Sequence, residues 1–217
     1  MTLAEQLVLL ALDPLRGKPA PGVVVSRLRR GTAAAILAEL VLHHRLLAVG
    51  DRVAMADALP DYNPLLGEAG PLISRGGAPV TPTEAVRRVD RGISDLIGRV
   101  RDSLVARDLI HHYRQAFFLH TYPLRSQQAL DEVFAALQRV IDRQQAQLSD
   151  LALAAIVDCC GVAAARLTSE RQFLLRRSLH EAEEKPVVPP VLLVIRAIAR
   201  SAIDATSGNR STSACVA

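Results

Sequence analysis

The chain has no tryptophan, and only seven of its 217 residues are aromatic. Sheets are built from aromatic and β-branched side chains. Their scarcity here, beside abundant Ala, Leu and Arg, favours helix. The three cysteines, Cys159, Cys160 and Cys215, are an odd set that excludes a disulfide framework and suits a reducing compartment. No apolar run reaches the roughly 20 residues that span a bilayer; the best candidates are broken by Asp158 and by Arg196 and Arg200. The N-terminal stretch carries Glu5 and Asp13, lacks a basic flank and shows no small-residue cleavage site, so it does not read as a targeting segment. Cys215 is third from the end, which excludes a prenylation box.

What is present is apolar and locally well punctuated. Half the residues are hydrophobic, enough for one core that buries roughly 70% or more of the unfolded surface. "TLAE" at the start is a capping box, Thr2 with Glu5, in front of a helix that Asp13-Pro14 ends. A second helix is predicted from about Ser26 to His44. Its centre, "TAAAILAELVL", is apolar on nearly every side and must be buried. Gly50-Asp51, between apolar flanks, fits a two-residue hairpin turn.

A short helix follows near 64–70, and then "SRGGAPV", an exposed connection within one domain. In "TPTE", Thr81 caps, Pro82 takes the first helical position and Glu84 reaches back. That helix is predicted to reach about Asp108, weakened at Gly92 and Gly98. Further helices are expected at about 126–146, 149–166 and 170–184, with a last one from Pro189-Pro190 to about Ala205. The tail, 205–217, reads as disordered.

Charge is uneven. The net charge is only +4, yet residues 14–38 hold Arg16, Lys18, Arg27, Arg29 and Arg30 with no acid. Such a patch either attracts phosphates or is a solvated face. Four of the seven aromatics fall in "YRQAFFLHTY", residues 113–122. On a strand, Phe117 and Phe118 point to opposite faces. They plug a core, or they form an apolar tip beside Tyr113 and Arg114, for a membrane or a partner.

"TLAEQLVLLALD", "AAAILAELVLHHRLL" and "DALPDYNPLLGEA", in that order and spacing, resemble the Golgi phosphoprotein 3 family. The resemblance continues through "RVRDSLVARDLI", "FFLHTYPL" and "LALAAIVD", and covers about residues 2–204. It implies a single-domain, mainly α bundle with a central four-helix core and short β-hairpins. An Arg-rich, Lys-poor chain suits a bacterial member. Eukaryotic relatives are peripheral membrane proteins that bind phosphatidylinositol 4-phosphate and act as adaptors for membrane enzymes, not as enzymes. Their protruding hairpin, used in membrane contact or self-association, corresponds to the aromatic stretch. Their headgroup site uses a tryptophan before the second helix, an arginine near that helix's start and two arginines one turn apart in the middle helix. The arginine positions fall at Ala33, Ser94 and Ile97, so none of the four residues is kept. On a continuous helix Arg87, Arg91 and Arg101 share the face of Ser94, and Arg29 and Arg30 lie one turn before Ala33. These five arginines are the candidate headgroup residues.

Nothing points to catalysis. No Gly-rich phosphate loop, nucleophile elbow or carboxylate pair stands out. The six histidines have no zinc-site spacing, and Cys159-Cys160 reads as two small buried residues. No cofactor or metal is expected. Helix, helix and hairpin over 3–56 also outline a winged helix, but the second helix is too apolar to read a groove. The reading is a non-enzymatic, cytoplasmic protein on the inner membrane face, bound to anionic phospholipid. Client proteins and self-association are the implied further partners, and no nucleic acid is expected; the alternative reading is a winged-helix-like nucleic-acid-binding or protein-interaction module.

Overall fold

The computed structural model describes residues 1–56, 63–115, 119–184 and 190–204. The aromatic tip residues Phe117 and Phe118, and the tail, lie outside the described residues.

Helix α1 (Leu3–Ala11) opens on its capping box. The Thr2 hydroxyl accepts the Glu5 N–H at 3.2 Å, and the Glu5 carboxylate accepts the Thr2 N–H at 2.8 Å. Helix α2 (Val25–Leu42) is enclosed from Ala33 to Ala38, as its uninterrupted apolar run requires. Strands β1 (Leu46–Val49) and β2 (Arg52–Met55) pair antiparallel around the Gly50-Asp51 turn. Helix α3 (Pro64–Ser74) runs one turn further than expected. Pro71 removes a hydrogen bond, but burial of Ala69 and Ile73 keeps the last turn on the core. Residues 74–78 are exposed. The connection then closes where Val80 and Val53 exchange backbone hydrogen bonds of 2.9 and 2.7 Å.

The long helix expected from Pro82 to about Asp108 is two helices, α4 (Pro82–Gly92) and α5 (Leu96–Ala106). Ile93 is extended, and Asp95 adopts a left-handed conformation (φ 42°) from which its side chain caps the Gly98 N–H at 3.3 Å. A β-carbon on Gly98 would lie 2.1 Å from the Asp95 carboxylate, so glycine there admits the cap rather than merely weakening a helix. Thr81 caps α4 as expected, but Glu84 does not reach back: its carboxylate takes Arg87 and Arg88 instead.

A second hairpin, β3 (Tyr113–Gln115) with β4 (Leu119–Thr121), pairs Arg114 with His120. After α6 (Gln127–Ile141), the predicted 149–166 helix divides at Cys160-Gly161 into α7 (Leu148–Cys159) and α8 (Val162–Arg166). Helices α9 (Ser169–Glu184) and α10 (Pro190–Asp204) complete the fold.

The molecule is mainly helical, one helical domain with two hairpins. Helices α1, α2, α10 and α7 pack in a closed ring, each against the next, and α2 is further covered by α3, α4 and α5. Leu7, Leu10, Leu37, Ile195 and Ile198 are fully buried in one continuous cluster. Each such side chain contributes about 1.5–3 kcal/mol of transfer free energy. The consequence for function is positional. The core fixes α2, and the first turns of α2 carry three arginines to one end of the molecule.

Candidate functional site

That end is assembled from the α1–α2 loop, the start of α2, the α7–α8 junction and the base of the β3–β4 hairpin. The loop is a tight turn. Asp13 Oδ1 accepts the N–H groups of Leu15 and Arg16, both at 2.9 Å. The Gly17 N–H donates to the Asp13 carbonyl, and the Asp13 N–H to the Lys18 carbonyl, both at 2.8 Å. The Arg16 N–H bond holds the Asp13 carboxyl below the usual carboxylate range. Gly17 has φ +61°, and a β-carbon there would fall 2.2 Å from the backbone of Tyr122 and Pro123. Through this contact the Tyr122 N–H donates to the Gly17 carbonyl and the Leu124 N–H to the Pro14 carbonyl, both at 2.9 Å. The basic loop is therefore bonded directly to the base of the hairpin.

The hairpin base carries a stack of rings. His112 lies over Tyr122 with centroids 4.8 Å apart, and it reaches His120 with a 2.8 Å ring-nitrogen hydrogen bond. Arg101 covers Tyr122 at 5.0 Å. Burial lowers the pKa of Arg101, although Tyr122 and Asp95 favour its charge. It remains cationic at any physiological pH. Tyr113 and Arg114 are exposed on β3.

The α2 start is uncapped: Val24 makes no side-chain hydrogen bond to it, leaving N–H donors and the positive end of the helix dipole facing outward. Gly31 meets Cys160 there, and Arg27 reaches toward Gly161. At this end Arg30 Nη1, Arg101 Nε and Arg166 Nε are sealed from solvent without a hydrogen-bond partner, and the same holds of Arg45 Nε beyond the other end of α2. An unsatisfied buried guanidinium N–H is costly.

The five candidate arginines do not form one site. Arg30 lies in the first turns of α2, and Arg101 reaches the hairpin base from α5, over Tyr122. Arg29 is occupied. Its Nε donates to Asp90 Oδ1 at 2.7 Å, Nη2 donates to the Asp90 carbonyl, and the same nitrogen reaches the Ile93 carbonyl at 3.4 Å. It holds the α4 terminus on α2. Arg87 and Arg91 face elsewhere, into an open cleft of about 410 Å³ between α3 and α4, lined also by Leu72, Arg75, Arg88 and Gly92. Arg87 is paired there with Glu84 at 2.6 Å. The break at 93–95 explains the separation, because counting helical phase from Arg91 to Arg101 assumes a helix that does not continue.

Two residues of the basic end were not singled out from the sequence. Arg166 emerges only because the chain turns at Gly161. Leu15 is an isolated apolar residue in a loop, which no periodicity marks. Among the described residues no group of three or more His, Cys, Asp or Glu side chains could hold a metal, and no helix is long and apolar enough to cross a membrane. As for the winged-helix outline, α2 packs against α1, α3, α4, α5, α7 and α10, and its fully exposed residues, Val25, Ser26 and Arg27, all lie in its first turn.

These features define a mainly helical domain with a basic end built around a short aromatic hairpin. The chain belongs to the family described as Golgi phosphoprotein 3 (GPP34), which it matches over residues 3–198. No curated protein matches it.

Proposed function

We propose that the chain is a peripheral membrane protein, without catalytic activity, that binds anionic, phosphoinositide-like phospholipid headgroups through its basic end. The observation that carries the reading is the concentration of cations at that end, with Arg30 and Arg101 half-buried and Arg16, Lys18 and Arg27 exposed, around an uncapped helix start. Phosphate oxygens are strong acceptors for guanidinium and ammonium groups. Arg16, Lys18, Arg27 and Arg114 add long-range attraction to a negative leaflet, and Arg87 and Arg91 add theirs from the α3–α4 cleft. Arg29 has a structural role. Family membership supports the same reading, together with a role as an adaptor for a client protein or a second copy. A place on the cytoplasmic face of a membrane follows from the same chemistry.

The test is co-sedimentation with vesicles of phosphatidylcholine alone and with added phosphatidylserine or phosphatidylinositol 4-phosphate. Binding should require the anionic lipid and weaken with salt. The folded Arg30→Met, Arg101→Met pair should lose about tenfold or more, at about 1 kcal/mol or more for each cation. The Arg87→Ala, Arg91→Ala pair should lose less. Equal, salt-insensitive binding to neutral vesicles would refute the reading. So would duplex DNA binding without lipid binding.

A further inference from the structure

Leu15 is 90% exposed, an unusual position for a leucine in a turn this well ordered. Its backbone is fixed on both sides. Asp13 takes the N–H groups of Leu15 and Arg16, and Pro14 and Gly17 are bonded to the hairpin base. A loop held by its own hydrogen bonds and by a neighbouring strand cannot fold the side chain back onto the core. It presents the leucine outward and pays little further ordering entropy when that side chain is buried. Arg16 and Lys18, both exposed, follow it in the same turn, and Val24 and Val25 are half exposed where the loop enters α2.

We propose that the Asp13–Lys18 turn is a membrane-insertion point of its own, with Leu15 seated among the upper acyl chains and Arg16 and Lys18 at the level of the phosphates. This rests on the anionic-membrane reading above and adds to it a specific anchor. Charge complementarity selects the occupant. An apolar side chain that shares a tight turn with two long cationic ones suits the boundary of an anionic bilayer, where the cations bind phosphates and the leucine enters hydrocarbon. The turn is hydrogen-bonded to the hairpin base, so the two elements meet the surface together. Arg101 and Tyr122 stand behind them.

The absence of tryptophan makes the test direct, since a single introduced indole reports its own surroundings alone. On phosphatidylserine-containing vesicles, Leu15→Trp should shift its emission to the blue and be quenched by lipids brominated high on the acyl chains. Leu47→Trp, on an exposed residue of β1 beyond the far end of α2, should do neither. Leu15→Ser, with unchanged circular dichroism, should bind the same vesicles about tenfold more weakly, the scale expected for burying one leucine. If Leu15→Trp co-sediments with unshifted emission, the insertion point is refuted while the membrane reading stands. If the unmodified chain fails to co-sediment, the membrane reading itself fails and this anchor with it. A blue shift that appears on concentrating the protein without vesicles would show a second copy over Leu15, and would also overturn the proposal.

Discussion

The guanidinium of Arg101 lies over the ring of Tyr122, with Cζ 5.0 Å from the centroid, while its Nε finds no acceptor. A cation held against a ring and left short of one hydrogen bond is stabilised by the ring and destabilised by its own desolvation. Cation–π contact contributes about 0.5–2 kcal/mol, and the missing bond costs about 1–3 kcal/mol. The two nearly cancel. Arg101→Met keeps a long side chain on the ring and removes both terms, so its unfolding free energy should stay within about 1 kcal/mol of the parent in urea titration. Arg101→Ala leaves the ring uncovered and should be the less stable of the two. Equal losses for both would make the guanidinium a structural element of the hairpin base.

Arg29 should behave in the opposite way. It satisfies carbonyls at the end of α4 and pairs with Asp90, so Arg29→Ala leaves a helix terminus unpartnered. The side chain is 40% exposed, which tempers the ionic contribution. A loss of about 1–2 kcal/mol is expected, with salt-dependent vesicle binding altered no more than removal of one surface charge requires. Asp90→Ala should cost less, because the backbone acceptors remain. A tenfold or greater binding loss in a fully stable Arg29→Ala variant would return this residue to the headgroup site.

The reliability of reading these elements from sequence followed the range of the forces that form them. Thr2 with Glu5, Thr81 with the Glu84 N–H and the Gly50-Asp51 turn act over three or four residues, and each stands where expected. The all-apolar run from Ala33 to Ala38 left no alternative to burial. The break between α4 and α5 depends on tertiary contacts. Arg29, some 60 residues earlier, binds the carbonyls at the α4 end, while the Asp95 cap that starts α5 carries only a weak local signal in "SDLIG". Arg87, Arg91 and Arg101 were therefore grouped on a face that the chain does not form. Arg101 is carried by α5 to the hairpin base, over Tyr122, which the phase of a continuous helix could not indicate.

The paired thiols give a pH prediction. Burial pushes Cys159 up to about 11 and Cys160 up to about 12, from an ordinary value near 9. Between pH 9 and 11 the unfolded chain loses these protons while the folded chain keeps them, so stability falls as pH rises. Both thiols together should lower the unfolding free energy by roughly 2–3 kcal/mol from pH 8 to pH 10. A Cys159→Ala, Cys160→Ala variant starts from its own baseline but should lose distinctly less over that interval. Equal alkaline slopes would show that the thiols do not titrate differently in the two states.

Helix α2 spans 18 residues, about 27 Å along its axis. Its first turns belong to the basic end, and its last turn leads into the β1–β2 hairpin. With the basic end resting on a bilayer, this buried rod acts as a strut that can hold the hairpin up to about 27 Å from the lipid phosphates. That reach is about three Debye lengths at physiological salt. Charges such as Arg52 would then lie beyond the electrical influence of the headgroups, free to meet whatever approaches from the water side. On that reading, the same core that orders the basic end would set a fixed standoff between the lipid and any third molecule.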